Sequence, residues 1–281
     1  MTKNLLGWSS LGAIVASVFA APIEWLKNSL TFHPNPVVHA SPAEHGLPYE
    51  EVWFGGPDSR TLHGWYIPRR SEAVSASDPL FVWFHGNAGN IAHRLPQLQL
   101  LYEKVGGSHF LFDYQGFGKS RGKPTIPDIL SDGRDAIALI WSRGWATGRR
   151  LVYFGESLGC AVAIELAVKQ PPDCMILSAP FYSLHAMGQL VLPPLAFLVN
   201  NDLNNARLIG QVRAPLLVIH GTADETVPFH QGQDLYSLAP QPKIFHTVLG
   251  GRHTNLHEVG GESYFQVMHE FVRGAASSKV P

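Results

Sequence analysis

Cysteine is scarce in this chain, with two in 281 residues, Cys160 and Cys174. That excludes a disulfide framework, and no C-x-x-C pair is present. Both cysteines read as small buried residues. An excess of charge of one sign is also missing. Lys and Arg number 21 against 22 Asp and Glu, for a net charge of −1. No basic footprint for a nucleic-acid partner follows from that balance. No His/Cys/Asp/Glu cluster has metal-ligand spacing, so neither a metal nor a cofactor is expected. The segment Gly86-Asn87-Ala88-Gly89 is glycine-rich but lacks the Gly-Lys-Ser/Thr ending of a phosphate-binding loop. No internal repeat is visible. What remains is a chain that is 45% hydrophobic, hence globular and not disordered. Its length suits a single α/β sheet enzyme with a substantial core.

The most informative stretch is Gly155-Glu156-Ser157-Leu158-Gly159, a G-x-S-x-G pentapeptide. The apolar run Leu151-Val152-Tyr153-Phe154 precedes it and reads as a strand. The run from Cys160 to Val168 follows and reads as a helix. Strand, sharp turn and helix form the context a serine nucleophile requires. Glycine flanks are needed because side chains there would collide with neighbouring backbone.

Serine needs a base at neutral pH. An acid and then a histidine should follow in chain order. Ala214 to His220 reads as a buried strand, and Asp224 lies in the turn-rich loop after it. Lys243 to Leu249 reads as another strand, and His253 lies in the loop after that. Asp224 is the expected triad acid and His253 the expected base. Glu225 competes with Asp224, while Asp202 and Asp234 are remote alternatives. Of the other histidines, His220 is expected to pack or hydrogen-bond below its loop. His246 reads as structural and His257 as a surface or supporting residue. Each triad candidate sits just past a strand's carboxyl end, where open α/β sheets bind ligands.

Acyl transfer also needs donors for an oxyanion. Leu158 N–H is one candidate. Asn87 N–H is the other, with Ala88 N–H in reserve, on the loop after the strand Pro79 to Phe84.

Four blocks now carry a resemblance: Phe84-His85-Gly86-Asn87-Ala88-Gly89-Asn90, Asp113-Tyr114-Gln115-Gly116-Phe117-Gly118-Lys119-Ser120, the Ser157 pentapeptide, and His220-Gly221-Thr222-Ala223-Asp224 with Val227-Pro228. Together they resemble the α/β-hydrolase superfamily from about Tyr49 to Phe271. The set is most similar to a branch of membrane-attached serine hydrolases acting on lysophospholipids, monoacylglycerols or palmitoyl thioesters. The resemblance implies an α/β-hydrolase fold, with a mostly parallel central sheet, helices on both faces and a small helical cap. It also implies a Ser157, Asp224, His253 triad with Asn87 and Leu158 as oxyanion donors. Two positions depart from the family pattern: Gln115, where arginine is frequent, and Cys160, where glycine or alanine is usual.

The expected organisation is a hydrophobic segment over residues 1–30 and a hydrolase domain over 31–281. Asn4 to Ile23 is free of formal charge, about the length that spans a bilayer. Three readings stand for it: a retained membrane anchor, a signal peptide cleaved on export, or a helix packed on the domain or lying in an interface. Residues 31–48 form a Pro/His-rich connector. Glu51 to Phe54 and Thr61 to Ile67 read as an opening antiparallel hairpin. Residues 70–78 form a polar loop, and strands alternate from Leu80 onward with helices expected at His93–Lys104, Pro127–Arg143, Ser157–Lys169 and Glu262–Arg273. The break in pattern over about 181–211 is where a small cap is expected. The apolar half of that cap, with the N-terminal segment, points to ester substrates carrying a hydrocarbon chain. The expected function is therefore ester or thioester hydrolysis by a serine triad. A peptidase of the prolyl-oligopeptidase type and a non-catalytic binding protein on the same fold are the alternatives.

Overall fold

A computed structural model describes residues 25–55, 61–69, 78–191, 193–194 and 202–274. Eight strands form the central sheet: β1 (Glu50–Phe54), β2 (Leu62–Ile67), β3 (Pro79–Phe84), β4 (Ser108–Asp113), β5 (Arg150–Glu156), β6 (Cys174–Ser178), β7 (Leu216–Gly221) and β8 (Lys243–Val248). Their order across the sheet is β8-β7-β6-β5-β3-β4-β2-β1. Only β2 runs against the others, pairing antiparallel with β1 and with β4. The opening hairpin is therefore present, with Val52 opposite Gly64. Most of its turn, residues 56–60, lies outside the described residues, as does nearly all of the polar loop 70–78.

From Leu95 onward, seven α-helices accompany the sheet among the described residues: α1 (Leu95–Lys104), α2 (Ile126–Ser142), α3 (Leu158–Lys169), α4 (Leu184–Val191), α5 (Asn205–Ile209), α6 (Phe229–Leu238) and α7 (Leu256–Gly274). The inner strands β2 to β7 are almost wholly buried because helices cover both faces, while the edge strands β1 and β8 are partly exposed. Successive side chains alternate between two cores. In β3, Leu80, Val82 and Phe84 enter the core beneath α2 and α3. Phe81 and Trp83 enter the opposite core, against α1 and α7. Both cysteines are buried and free.

Several boundaries differ from the sequence reading. The expected helix from His93 begins as a tight turn, Ile91–Arg94, because the Asn90 side chain accepts from Ala92 N–H and starts the turn early. Leu95 then opens α1. The C-terminal helix starts at Leu256, ahead of the expected Glu262, and breaks at Gly261 with φ 51°. The sequence reading passed over α6. In the expected cap, α4 and α5 are helical, while residues 192 and 195–201 lie outside the description.

Residues 25–31 are helical. The chain then runs along the loop after β3, where His33–Pro34 pairs parallel with Ala88–Gly89. Phe32 is buried and meets Phe117 edge-on at 6.4 Å. Burial of such a ring contributes about 1.5–3 kcal/mol, enough to fasten this otherwise polar connector to the domain. Among the described residues no helix is long and apolar enough to cross a membrane. The expected anchor or signal, residues 4–23, lies outside them.

Candidate active site

The turn between β5 and α3 carries Ser157 in a conformation side chains rarely adopt, φ 50° and ψ −113°. Such backbone strain persists only where surrounding structure enforces it. The two glycines show what enforces it. A Cβ on Gly159 would lie 1.8 Å from the Phe84 carbonyl oxygen, and one on Gly155 would lie 2.8 Å from Cys160 Cα. The helix start is thus pressed against β3 so closely that only glycine fits. Ser157 N–H donates to the Ser178 carbonyl across to β6, fixing the turn from below.

Asp224 and His253 come together from neighbouring loops. His253 Nδ1 lies 2.8 Å from Asp224 Oδ2. The imidazole is partly exposed, and the carboxylate is fully buried. Asp224 Oδ1 accepts from Thr226 N–H at 2.9 Å and Val227 N–H at 2.8 Å. His220 Nε2 lies 3.3 Å from Oδ2 and 2.9 Å from the Val227 carbonyl. Burial alone would raise the Asp224 pKa. The hydrogen bonds from His220, His253 and Val227 outweigh it and hold the carboxyl well below its usual range. An ionised acid at this point keeps the Nδ1 proton on His253 and frees Nε2 as the acceptor. Glu225 is exposed and Asp234 lies on α6, outside this arrangement. Asp202 pairs instead with Lys27 at 2.7 Å.

Ser157 and His253 line one open cleft of about 790 Å³, together with Asn87, Arg94, Glu156 and His257. Burial lowers the pKa of His257, which suits a neutral residue of the wall. His246 lies on the sheet-edge strand β8, half-buried and away from the cleft lining.

The loop after β3 reaches the cleft beside the serine. His85 is buried, and burial, with Arg94 nearby, pushes its pKa down to about 3. The neutral ring donates from Nδ1 to the Gly86 carbonyl at 2.7 Å. Because the peptide is trans, the Asn87 N–H then points the opposite way, away from His85. Leu158 N–H belongs to the first turn of α3, whose amides have no intrahelical partner. Both expected oxyanion donors therefore have a structural reason to be available. Leu158 itself is buried.

Arg94 is a residue the sequence reading missed. Its Nη1 donates to the carbonyls of Ala88 at 3.0 Å and Asn90 at 3.4 Å, and its Nε lies 3.4 Å from Glu156 Oε2. It thereby joins the loop to the residue before the serine. Its position immediately before Leu95, the first residue of α1, gave no such signal. The two departures from the family pattern also find roles. Gln115 donates from N–H and Nε2 to the buried Asp132 carboxylate at 2.8 and 2.9 Å. Cys160 Sγ–H faces the carbonyls of Gly155 and Ser178 at 3.2 and 3.3 Å, and burial raises its pKa, so it is a packed thiol. Among the described residues no group of three or more His, Cys, Asp or Glu is placed to hold a metal ion.

A family model described as serine aminopeptidase, S33, matches residues 76–208. The uncharacterized protein Rv2307c of Mycobacterium tuberculosis is 33% identical over 272 residues, 94% of either chain. The α/β hydrolase domain-containing protein WAV2 of Arabidopsis thaliana is 30% identical over 259 residues, 85% of this chain and 83% of that one. This chain belongs to the α/β-hydrolase family. The uncharacterized protein YfhR of Escherichia coli (strain K12) is a further family relative, 32% identical over 231 residues, 80% of this chain and 81% of its own. Among solved structures, the Pyrococcus furiosus esterase Pf2001 superposes with a TM-score of 0.71 at 19% identity, covering 87% of this chain and 98% of that one. Such a likeness establishes the α/β-hydrolase fold. The family match spans Ser157 but stops before Asp224 and His253, so the completeness of the site rests on its geometry.

Proposed function

We propose that this α/β-hydrolase is a serine esterase working through an acyl-enzyme on Ser157. The observation that carries the reading is the 2.8 Å contact of His253 Nδ1 with a buried, ionised Asp224, in a cleft that His253 shares with a strained Ser157. His253 Nε2 takes the Ser157 proton as the serine oxygen bonds to the substrate carbonyl carbon. Asn87 and Leu158 amides receive the oxyanion, and His253 returns the proton to the departing alcohol. Water then repeats the sequence on the acyl-enzyme and releases the acid.

Most residues that line the cleft are polar in type, with Pro96 and Leu256 its largest apolar members. A long hydrocarbon chain would find few large apolar side chains there to pack against. The reading therefore favours short or polar esters over the lipid esters expected from the sequence. A second reading, release of N-terminal amino acids from peptides, draws on the description of the matching family model and on Glu156 and Glu258 in the cleft wall. An α-ammonium group would need one of these carboxylates free. Glu156 is engaged by Arg94, which leaves Glu258.

The test is fluorophosphonate labelling with peptide mapping, run beside hydrolysis of p-nitrophenyl esters of two to sixteen carbons and of amino-acid p-nitroanilides. Labelling at Ser157 and a short-chain optimum are expected. Ser157→Ala should fold normally, escape labelling and lose about 10³-fold or more in rate. An active Ser157→Ala enzyme would sink the reading, and preferred anilide cleavage would replace ester by peptide.

A further inference from the structure

The loop at residues 86–90 has little in its own sequence to hold it still. Gly86 and Gly89 bracket it, and Gly89 sits at φ 79°. Its amides must nonetheless be fixed to within tenths of an ångström to stabilise an oxyanion. His85 sets the Gly86–Asn87 peptide from inside the domain. The next peptide is set from outside, by a stretch that the sequence presents as a featureless connector.

At least five hydrogen bonds join residues 31–37 to this loop. His33 N–H donates to the Asn87 carbonyl at 2.8 Å, and Asn35 N–H to the Gly89 carbonyl at 3.0 Å. Asn87 Nδ2 donates to the Thr31 carbonyl at 2.9 Å. Asn90 Nδ2 donates to the carbonyls of Asn35 at 2.9 Å and Val37 at 2.8 Å. Gly118 N–H also donates to the Asn35 carbonyl, at 3.1 Å, joining the strap to the turn after β4. The strap is itself anchored. Phe32 is buried against Phe117, and the Phe117 ring lies 5.0 Å from that of His85, which leads into the loop. His33 and Asn35 line the cleft with Ser157.

We infer that residues 31–37 are a positioning element of the active site, holding the Asn87 and Ala88 amides in register with Ser157. The consequence is geometric. The His33 N–H fixes the Asn87 carbonyl. The trans peptide then turns the Ala88 N–H to the opposite side, and the Asn87 side chain is tied to the same strap through Thr31. Release of the strap leaves Asn87 held by His85 on one side only. The substrate still binds, since the strap forms only one part of the wall, but the oxyanion loses a fixed donor. The cost falls on kcat and spares KM. This inference rests on the serine-esterase reading of the same site.

The experiment uses the full chain with His33→Pro, which removes the N–H that the Asn87 carbonyl accepts. Asn87→Asp serves as the second variant. It keeps the Asn87 amide but turns a carboxylate oxygen toward the Thr31 carbonyl. Three quantities are read: kcat and KM on p-nitrophenyl acetate, and the inhibition constant of a trifluoromethyl ketone, whose serine adduct carries the oxyanion. Expected for His33→Pro is a fall in kcat of about tenfold or more, KM within about threefold, and inhibitor binding weakened by the same factor as kcat/KM. Asn87→Asp should show the same pattern. Folded variants with unchanged kcat and inhibitor binding would overturn the inference, as would a loss confined to KM. If His33→Pro fails to fold, Asn87→Asp decides between these outcomes. A wild-type protein that is not labelled at Ser157 overturns the esterase reading and this inference with it. A labelled wild type with indifferent variants overturns this inference alone.

Discussion

Asp224→Asn changes one atom and tests the electrostatic logic of the site. The carboxylate accepts at both ends. Oδ1 faces the N–H groups of Thr226 and Val227, and Oδ2 faces His253 and His220. An amide has only one acceptor oxygen. If its NH₂ faced Thr226 and Val227, two backbone donors would meet two more donors in a buried place. The asparagine oxygen is therefore held at that end, and the NH₂ is turned onto His253 Nδ1. That nitrogen must then carry the lone pair, so the proton moves to Nε2. His253 can no longer accept the Ser157 proton, although no side chain has moved. The expected loss in kcat is about 10⁴-fold, equivalent to about 5.5 kcal/mol of transition-state stabilisation. The assay is p-nitrophenyl acetate hydrolysis at pH 8 with active sites counted by titration, and circular dichroism to confirm folding. Glu225→Gln, at an exposed neighbour, should stay within about threefold. An Asp224→Asn enzyme within tenfold of wild type would refute this account of the acid, and a large loss in Glu225→Gln would move the assignment there.

Gly159→Ala places a methyl 1.8 Å from the Phe84 carbonyl oxygen. Since backbone must move to accept it, a stability loss of about 3 kcal/mol or more is expected by urea denaturation, and unchanged stability would contradict the packing of α3 on β3. Arg94→Ala removes the ties to the Ala88 and Asn90 carbonyls and leaves Glu156 without its cation. Steady-state kinetics should show kcat about tenfold lower, and full activity would show that the loop does not need this brace. Acid should destabilise the fold already between pH 7 and pH 5. Burial pushes His85 and His109 each to about 3, so below about pH 6.5 the unfolded chain binds protons that the native one refuses. Their shared contribution is full at pH 7 and drops by about 4 kcal/mol by pH 5. Urea unfolding at the two pH values measures it, and a flat profile would mean that these rings are not kept neutral.

Much of the candidate site was legible because the chemistry proposed for it constrains short stretches of chain. The glycines around Ser157 announced a turn that only glycine can make, and the collisions at Gly155 and Gly159 are the physical form of that signal. Asp224 and His253 could be picked by chain order and by their loops at strand ends. The strand pattern gave the sheet, because buried parallel strands are apolar on both faces. Helix ends were less legible, since Asn90 and Gly261 act through side-chain and backbone geometry that a hydrophobic period does not encode. α6 was not legible because its polar and apolar residues form no clear stripe.

Tertiary structure decided what lies between distant segments. His220 could be judged a packing residue from its strand, but its share in the Asp224 carboxylate depends on how the loop folds back over it. Arg94 becomes a brace only because α1 starts beside the serine turn. The strap at 31–37 reads as a connector, since its bonds run to residues more than fifty positions away and use only backbone groups on the strap's own side. Residue types and local spacing specified which groups can do the chemistry. The register of separate segments decided which backbone amides are held still enough to assist it.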